Sequence, residues 1–259
     1  MSDGIERWPR PHYERPGGRP FLFYAAFGEF RSLPPLDARR YRSLGVHTGL
    51  GLGRYGPGEH QEVLSGFREG YLWDDLVAQD PALARRVSES DQCLILRGEL
   101  DDRGDLDYLR DAVGLLAYLL DHGGVGVYDP QMFRWWGPEA WRRGLFEPAA
   151  PVPRRHVVIL TSDEGESGAR GEPRTWFHTR GMRKFGRPDL SVHGVRLQHQ
   201  EVVIDLIERF VDLQASGGLI PEGQEIRMRG LPSGMTCRHG GDPDDPDFNN
   251  VHVDITLPG

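Results

Sequence analysis

Apolar residues recur at every third or fourth position in two long stretches of the chain, and this spacing predicts two amphipathic helices. The first runs from a cap at Asp105 to the glycine pair at residues 123–124, and the second covers residues 197–215. A Gly-Gly pair follows each stretch, which is typical of a helix end. The positions that form the two apolar faces are Leu106, Leu109, Val113, Leu116 and Leu120, and His199, Val203, Leu206, Phe210 and Leu213.

Short apolar or alternating runs predict strands around these helices. In the last run, Val251, Val253 and Ile255 alternate with polar residues. The side chains of His252 and Asp254 should therefore share the opposite face of that strand. The predicted strands are residues 21–30, 93–100, 125–128, 156–161, 175–179, 190–193, 225–228, 236–238 and 251–257. Together these elements predict an α+β fold, in which helices pack on one face of a largely antiparallel sheet.

The order strand, helix, Gly-Gly, strand occurs twice, once from residue 94 and once from residue 190. This order indicates a duplicated β-α-β unit, although Gly-Gly is a common helix stop and two copies can also arise by chance. A polar break at residues 88–91 divides the chain into two regions. They are an N-terminal α+β region with an extended arm, residues 1–90, and an α+β core, residues 91–259, which either stand apart or form one domain.

Composition excludes several classes of protein. The chain has 259 residues, of which 38% are hydrophobic, and a net charge of −8, so general disorder and a generally basic nucleic-acid binder are both disfavoured. Two cysteines do not indicate a disulfide framework. The N-terminus lacks an apolar signal core and no apolar run is long enough to span a bilayer, so we expect no membrane partner and a cytoplasmic location. The marked excess of arginine over lysine is typical of a GC-rich bacterial genome.

The sequence contains no complete catalytic or cofactor motif. Lys184 is the only lysine and is followed by Phe185, which excludes a Walker A loop and a Ser-x-x-Lys nucleophile. Gly51, Gly53 and Gly56 match the pattern G-x-G-x-x-G, but a Pro-Gly pair follows where a dinucleotide site requires a helix N-terminus. A glycine-rich connection is favoured there, and no cofactor is identified.

The acidic run at residues 242–250 suggests calcium binding. The EF-hand pattern fails, because Asn250 stands where the loop requires glycine and Thr256 stands where it requires glutamate. A solvated acidic turn is the simpler interpretation, so no metal is predicted. The weak candidates for a His/carboxylate metal site are His239, Asp242, His252 and Asp254.

Residues 175–193 contain two histidines, four cationic side chains and one aspartate, together with two glycines and a proline. Gly181 and Gly186 bracket a short turn, where glycine permits positive φ angles and close approach of the backbone. Backbone amides of such a turn, together with cationic side chains, can hold a phosphate or a carboxylate. The cations predicted to bind this ligand are Arg180, Arg183, Lys184 and Arg187.

The same stretch contains three candidate catalytic residues. His178 or His193 could act as a general acid or base. Asp189 could orient Arg187 or His178. The alternative is a structural role, in which a charged β-turn is stabilised by pairing of Asp189 with an arginine.

Two functions are therefore open. In the first, the chain is a soluble bacterial protein that binds a small anionic ligand at residues 175–193, either as a binding protein or as an enzyme. In the second, it is a non-enzymatic interaction module, such as an immunity or regulatory protein, with a protein partner. The second function predicts an exposed apolar patch. Its residues would be Trp135, Trp136 and Trp141.

The segment Gly-Met-Arg-Lys-Phe-Gly-Arg-Pro-Asp-Leu, residues 181–190, resembles a block found in uncharacterised bacterial proteins that are grouped as domains of unknown function. Residues 123–130 are similar to a second segment of those proteins. The resemblance covers residues 91–257. It implies no established activity, so no functional residue is transferred from it.

Overall fold

A computed structural model describes residues 4–167 and 172–256 of the chain. These residues form two compact units, each assembled from several segments. The first unit contains residues 4–9, Phe21–Leu100 and Asp105–Val152, and the second contains Arg10–Pro20, Asp101–Gly104, residues 153–167 and residues 172–256. The chain thus passes between the units several times.

The first unit contains a five-stranded sheet in which every neighbouring pair of strands is antiparallel. Its strands are β1 (Phe21–Gly28), β2 (Gly51–Tyr55), β3 (Gln92–Glu99), β4 (Gly124–Asp129) and β5 (Arg134–Trp136), in the spatial order β2-β3-β1-β4-β5. Its helices are α1 (Ala38–Tyr41), α2 (Gln61–Gly66), α3 (Tyr71–Gln79), α4 (Pro81–Glu89), α5 (Asp107–Asp121) and α6 (Pro138–Trp141). A π-helical turn, Arg142–Phe146, follows α6.

The long helix α5 confirms the first periodic stretch and is buried along nearly its whole length. Even its charged residues Arg110 and Asp111 are buried, and they pair with each other at 2.8 Å. Gly114 is required by a close approach, since a Cβ atom there would lie 2.0 Å from the carbonyl oxygen of Tyr41. This glycine lets the chain around α1 pack directly on the helix.

The second unit contains a six-stranded sheet with one parallel pair, β8 with β11. Its strands are β6 (Val158–Ser167), β7 (Glu172–Arg180), β8 (Asp189–Arg196), β9 (Glu225–Ile226), β10 (Met235–Gly240) and β11 (His252–Thr256), in the order β6-β7-β8-β11-β10-β9. Helix α7 (Gln200–Ala215) packs against β8. The predicted apolar face is buried only in part, since Val203 and Leu206 are buried whereas Leu213 is 37% exposed. The helix also buries Ile207 and Val211.

The α+β class and the largely antiparallel pairing are confirmed, in two sheets rather than one. In the first unit α5 connects the parallel strands β3 and β4, and in the second unit α7 connects the parallel strands β8 and β9. One strand, β1, lies between β3 and β4, whereas two strands, β11 and β10, lie between β8 and β9. Duplication of a β-α-β unit stays a prediction.

Two segments differ from the predicted elements. Residues 51–55 form the edge strand β2 rather than a glycine-rich connection, because they pair with β3 through their backbone. The polar, glycine-rich run at residues 162–171 predicts a loop or a hairpin tip, but strand β6 continues to Ser167. The rest of that run, residues 168–171, lies outside the described residues.

Strand β3 also bears on the predicted division of the chain. It begins two residues after residue 90 and pairs with β1 and β2, so sequence from both sides of residue 90 lies in one sheet. In the described ranges, no helix combines the length and apolar character needed to cross a bilayer.

Candidate functional site

Asp189 anchors the turn that contains most of the predicted site residues. Its carboxylate accepts hydrogen bonds from the Thr179 hydroxyl at 2.8 Å, the Met182 amide at 3.2 Å and the Asn250 side-chain amide at 2.8 Å. Burial raises the pKa of Asp189 to about 6, against the lowering effect of these hydrogen bonds. Its partners are thus a hydroxyl and two amides rather than His178 or Arg187, the partners predicted from the sequence. We conclude that Asp189 fixes the turn to the sheet.

Lys184 and Arg187, predicted to bind the ligand, point into the protein instead. The ammonium of Lys184 donates to the carbonyl oxygen of His156 at 2.9 Å, and the side chain is fully buried. Arg187 uses all five of its N–H groups within the unit. One bond reaches the carboxylate of Asp102, and the others reach the carbonyl oxygens of Glu14, Gly186, Gly217 and Gly218.

Arg10 has the same arrangement as Arg187, and the two guanidinium groups share Asp102. The ion-pair distances are 2.7 Å from Arg10 Nη1 and 3.2 Å from Arg187 Nη1, and both arginine side chains are fully buried. The remaining donors of Arg10 reach the carbonyl oxygens of Arg103, Phe185, Gln214 and Ala215. Arg10 thus caps the carbonyl groups of Gln214 and Ala215 at the C-terminal end of α7, and Arg187 binds those of Gly217 and Gly218 just beyond it.

Arg180 and Arg183 hold the acidic loop, residues 242–250. Arg180 donates to the carbonyl oxygens of Pro246 at 3.2 Å and Asp247 at 2.7 Å. Arg183 donates to the carbonyl oxygen of Asn249 at 3.0 Å. These two arginines therefore bind the chain's own carbonyl groups.

His178 and His193 lie in a row of stacked rings on one face of the second sheet. Both stack on Trp176, with ring centroids 4.0 Å away for His178 and 4.9 Å away for His193. Phe248 continues the row beside His178 and stacks on His252 at 4.2 Å. Trp176 and His178 share this face because they lie two residues apart on β7, whereas Phe248 comes from the acidic loop.

The two predicted catalytic histidines differ in environment. Burial lowers the pKa of His178 to about 4, and the positive charge of Arg180 adds to this effect. His193 is exposed, and its Nδ1 lies 2.6 Å from a carboxylate oxygen of Glu164. The second oxygen of Glu164 accepts from the Gly194 amide at 2.6 Å. Only His193 is thus open to solvent.

The four weak metal candidates do not form a metal site. His252 Nε2 lies 3.4 Å from Asp254 Oδ2, as the alternation predicted. His239 Nε2 instead approaches the carbonyl oxygen of Ile220 at 2.7 Å. Asp242 accepts from the amide of Asp244 within a turn. Across residues 4–167 and 172–256, no group of three or more His, Cys, Asp or Glu side chains is arranged to hold a metal ion.

A cleft of about 380 Å³ opens in the second unit beside Arg187. We call it the glycine cleft. Its wall contains one arginine and two histidines and, among the described residues, no carboxylate. It is lined by Pro16, Gly17, Gly18, Gly186, Arg187, Pro188, Leu219, His239, Gly240, Gly241, Val251 and His252.

Close contacts explain why two positions of the cleft wall are glycine. A Cβ atom on Gly17 would lie 1.8 Å from Arg187 Nη1 and 2.2 Å from a carboxylate oxygen of Asp102. Gly241 has a φ of +71°, and a Cβ atom there would lie 2.6 Å from Nδ1 of His252. Glycine at these positions is therefore required by the packing of the cleft wall.

The sequence indicated Arg187 and the candidate histidines as site residues, but it did not predict the cleft. Three of these residues, Arg187, His239 and His252, line it. The missed residues lie in short segments near residues 17, 219 and 240, far apart in the chain. Their only sequence signal is the pair of glycines at residues 17–18 and again at residues 240–241. Glycine pairs are too common to identify a site on their own.

The tryptophans predicted to form an exposed patch pack inside the first unit. Trp136 and Trp141 are buried, and their rings contact each other edge to face. Trp135 is partly buried and stacks on Tyr128 at 4.6 Å. The interaction-module hypothesis therefore loses the exposed tryptophan patch that it predicted.

The resemblance of residues 181–190 to uncharacterised bacterial proteins stays a prediction. The structure gives this block a structural explanation, since Lys184, Arg187 and Asp189 all stabilise the turn. Comparison with known proteins adds no relative, because no protein-family model, curated protein or solved structure matches this chain.

Proposed function

We propose that the second unit binds a small oxyanion, such as a phosphate or carboxylate group, in the glycine cleft. The observation that carries this proposal is the charge of the cleft wall. The wall contains Arg187, His239 and His252 and, within the described part of the chain, no acidic side chain. The proposal keeps the anionic ligand predicted from the sequence but moves it from the turn at residues 181–187 to the cleft beside it.

The buried charges behind the wall favour an anion. Arg10 and Arg187 carry two positive charges, and Asp102 supplies one negative charge between them. Because the N–H groups of both arginines are occupied, they act through their electric field rather than by donating to the ligand. Such a field is weakly screened, since both guanidinium groups are buried.

The dimensions of the cleft suit a small ligand. Its volume of about 380 Å³ lies in the range of about 300–1,000 Å³ that is typical of small-molecule sites. The glycines let a ligand approach the backbone closely. Pro188, Leu219 and Val251 add apolar surface that can contact the rest of an organic anion.

Substitutions of Val251 test the proposal by changing only the charge at the cleft wall. Val251 is 38% exposed, so a polar side chain can replace it without being buried. Val251→Asp should weaken the binding of inorganic phosphate, whereas Val251→Lys should preserve or strengthen it. A carboxylate about 8 Å from a bound anion repels it by about 2 kcal/mol at an effective dielectric constant of about 20, which is about thirtyfold in Kd.

Isothermal titration calorimetry with inorganic phosphate measures the effect. Val46→Asp is the matched control, because Val46 is similarly exposed at 42% and belongs to the first unit. The control should bind phosphate like the wild type. Equal phosphate affinity in Val251→Asp and Val251→Lys would refute the proposal, as would the absence of any binding to the wild type.

A further inference from the structure

We infer that His239 contacts the anion in the glycine cleft and does so as a protonated imidazolium. This inference rests on the proposed function, and it concerns which wall residue gives the ligand a hydrogen bond. The two arginine groups nearest the cleft have no N–H group to spare. Among the side chains of the cleft wall, only His239 or His252 can therefore donate a hydrogen bond to the ligand.

The tautomer of neutral His239 is fixed by its neighbour. Its Nε2 lies 2.7 Å from the carbonyl oxygen of Ile220. A carbonyl oxygen can only accept, so Nε2 must carry the hydrogen. The lone pair of the neutral ring is then on Nδ1. In this form Nδ1 repels an oxyanion, and protonation converts it into a charged donor.

His252 is less able to supply the donor. Its Nδ1 is buried, with no hydrogen-bond partner in the described part of the chain, and its Nε2 faces Asp254. The ring is packed between Phe248 and the backbone at residues 240–241. His239, by contrast, is exposed.

Charged residues flank His239 on its own strand and on the strand paired with it. The carboxylate of Glu222 accepts from the backbone amide of His239 at 2.7 Å. Arg238 precedes His239 on β10 and is paired in register with Asp254 of β11, whereas Gly240 is paired with His252. Arg187 lines the same cleft, and Asp242 follows three residues later in the chain.

The consequence is that an anion and a proton bind together. Where His239 is neutral in the free protein, the affinity for an anion should rise up to tenfold for each unit of decrease in pH. The affinity should stop rising once His239 is already protonated in the free protein. The site would then select its ligand by negative charge and acceptor geometry, with His239 as the residue that determines specificity.

Inorganic sulfate is the probe that tests this inference, because its charge does not change between about pH 5 and about pH 8, where histidine titrates. Calorimetric titrations in two buffers of different ionisation enthalpy give the number of protons taken up for each sulfate bound. At about pH 8, above the usual pKa of histidine, we expect close to one proton for the wild type. We expect no uptake, and pH-independent affinity, for His239→Gln.

The matched control is His193→Gln, which removes an exposed imidazole outside the cleft. It should bind sulfate with the proton uptake of the wild type. Sulfate binding by the wild type without proton uptake would overturn this inference and leave the proposed function standing. Proton uptake that persists in His239→Gln would also overturn it. Failure of the wild type to bind sulfate or phosphate at any pH would overturn the proposed function as well.

Discussion

Replacement of Asp102 by asparagine should destabilise the second unit strongly. The substitution preserves the size of the side chain and removes the one negative charge shared by Arg10 and Arg187. Asp102 is 10% exposed and both arginine side chains are fully buried, so water cannot replace the lost charge. The amide that replaces the carboxylate also places a donor near two groups that only donate.

The size of the effect follows from the two ion pairs. At an effective dielectric constant of about 20, two unit charges about 4 Å apart attract each other by about 4 kcal/mol. Two pairs give about 8 kcal/mol as an upper limit, because the new amide oxygen can still accept a hydrogen bond. Removal of one partner from a buried pair is known to cost about 3–5 kcal/mol. We expect a loss within that range, against a total stability of about 5–15 kcal/mol for a typical domain.

Urea denaturation and hydrogen exchange together measure this loss. Amides in α7 and β8 report on the second unit alone, which matters because the chain has two units. The matched control is Asp212→Asn, which breaks the ion pair with Arg154, where both side chains are 44% exposed. An exposed pair is worth about 0–1 kcal/mol. If Asp102→Asn lowers the free energy of unfolding no more than Asp212→Asn does, the structural role of the two arginines is refuted.

Two further predictions concern packing and pH. Gly17→Ala should destabilise the second unit, because the new Cβ atom would clash with the guanidinium of Arg187. Gly66→Ala should be tolerated, because the space around Gly66 is open. Equal melting temperatures for the two variants would contradict this prediction. Stability should also fall as the pH falls from about 6 to about 5. Burial lowers the pKa of His178 to about 4 and of His156 to about 3, so unfolding takes up two protons there. Asp189, with its pKa raised to about 6, releases one. Because unfolding takes up about one proton net, the free energy of unfolding should fall by about 1.4 kcal/mol for each unit of decrease in pH. Urea denaturation at pH values of about 6 and about 5 measures this change, and constant or rising stability would contradict the prediction.

Periodicity predicted the parts of this fold that depend on local sequence. The apolar stripe of α7 and the alternation in β11 are visible in the sequence because each follows the geometry of its own element. The same alternation placed His252 and Asp254 on one face, and their side chains do lie 3.4 Å apart. Strand β2 was missed because glycine is a poor strand former and its pairing with β3 is a long-range contact.

The roles of Lys184 and Arg187 could not be predicted by the same reasoning. A stretch rich in charge indicates solvent exposure, yet both side chains are buried and bonded to carbonyl groups. Their distant partners lie at residues 14, 102, 156, 217 and 218, and a single sequence gives no information about such pairings. The glycine cleft was missed for the same reason, because distant segments of the chain form its wall.

The bonds from Arg10 also constrain how this protein can be synthesised and divided. Arg10 caps carbonyl groups at Gln214 and Ala215, more than 200 positions later in the chain. During translation, residues 10–20 therefore emerge long before the helix that they stabilise exists, so the second unit can be completed only after residue 215 has been synthesised. Cleavage of the chain near residue 152 would leave residues 10–20 and 101–104 on the other fragment. A shortened protein that begins at residue 153 would lack Arg10 and Asp102, and so both the cap of α7 and the counter-ion of Arg187.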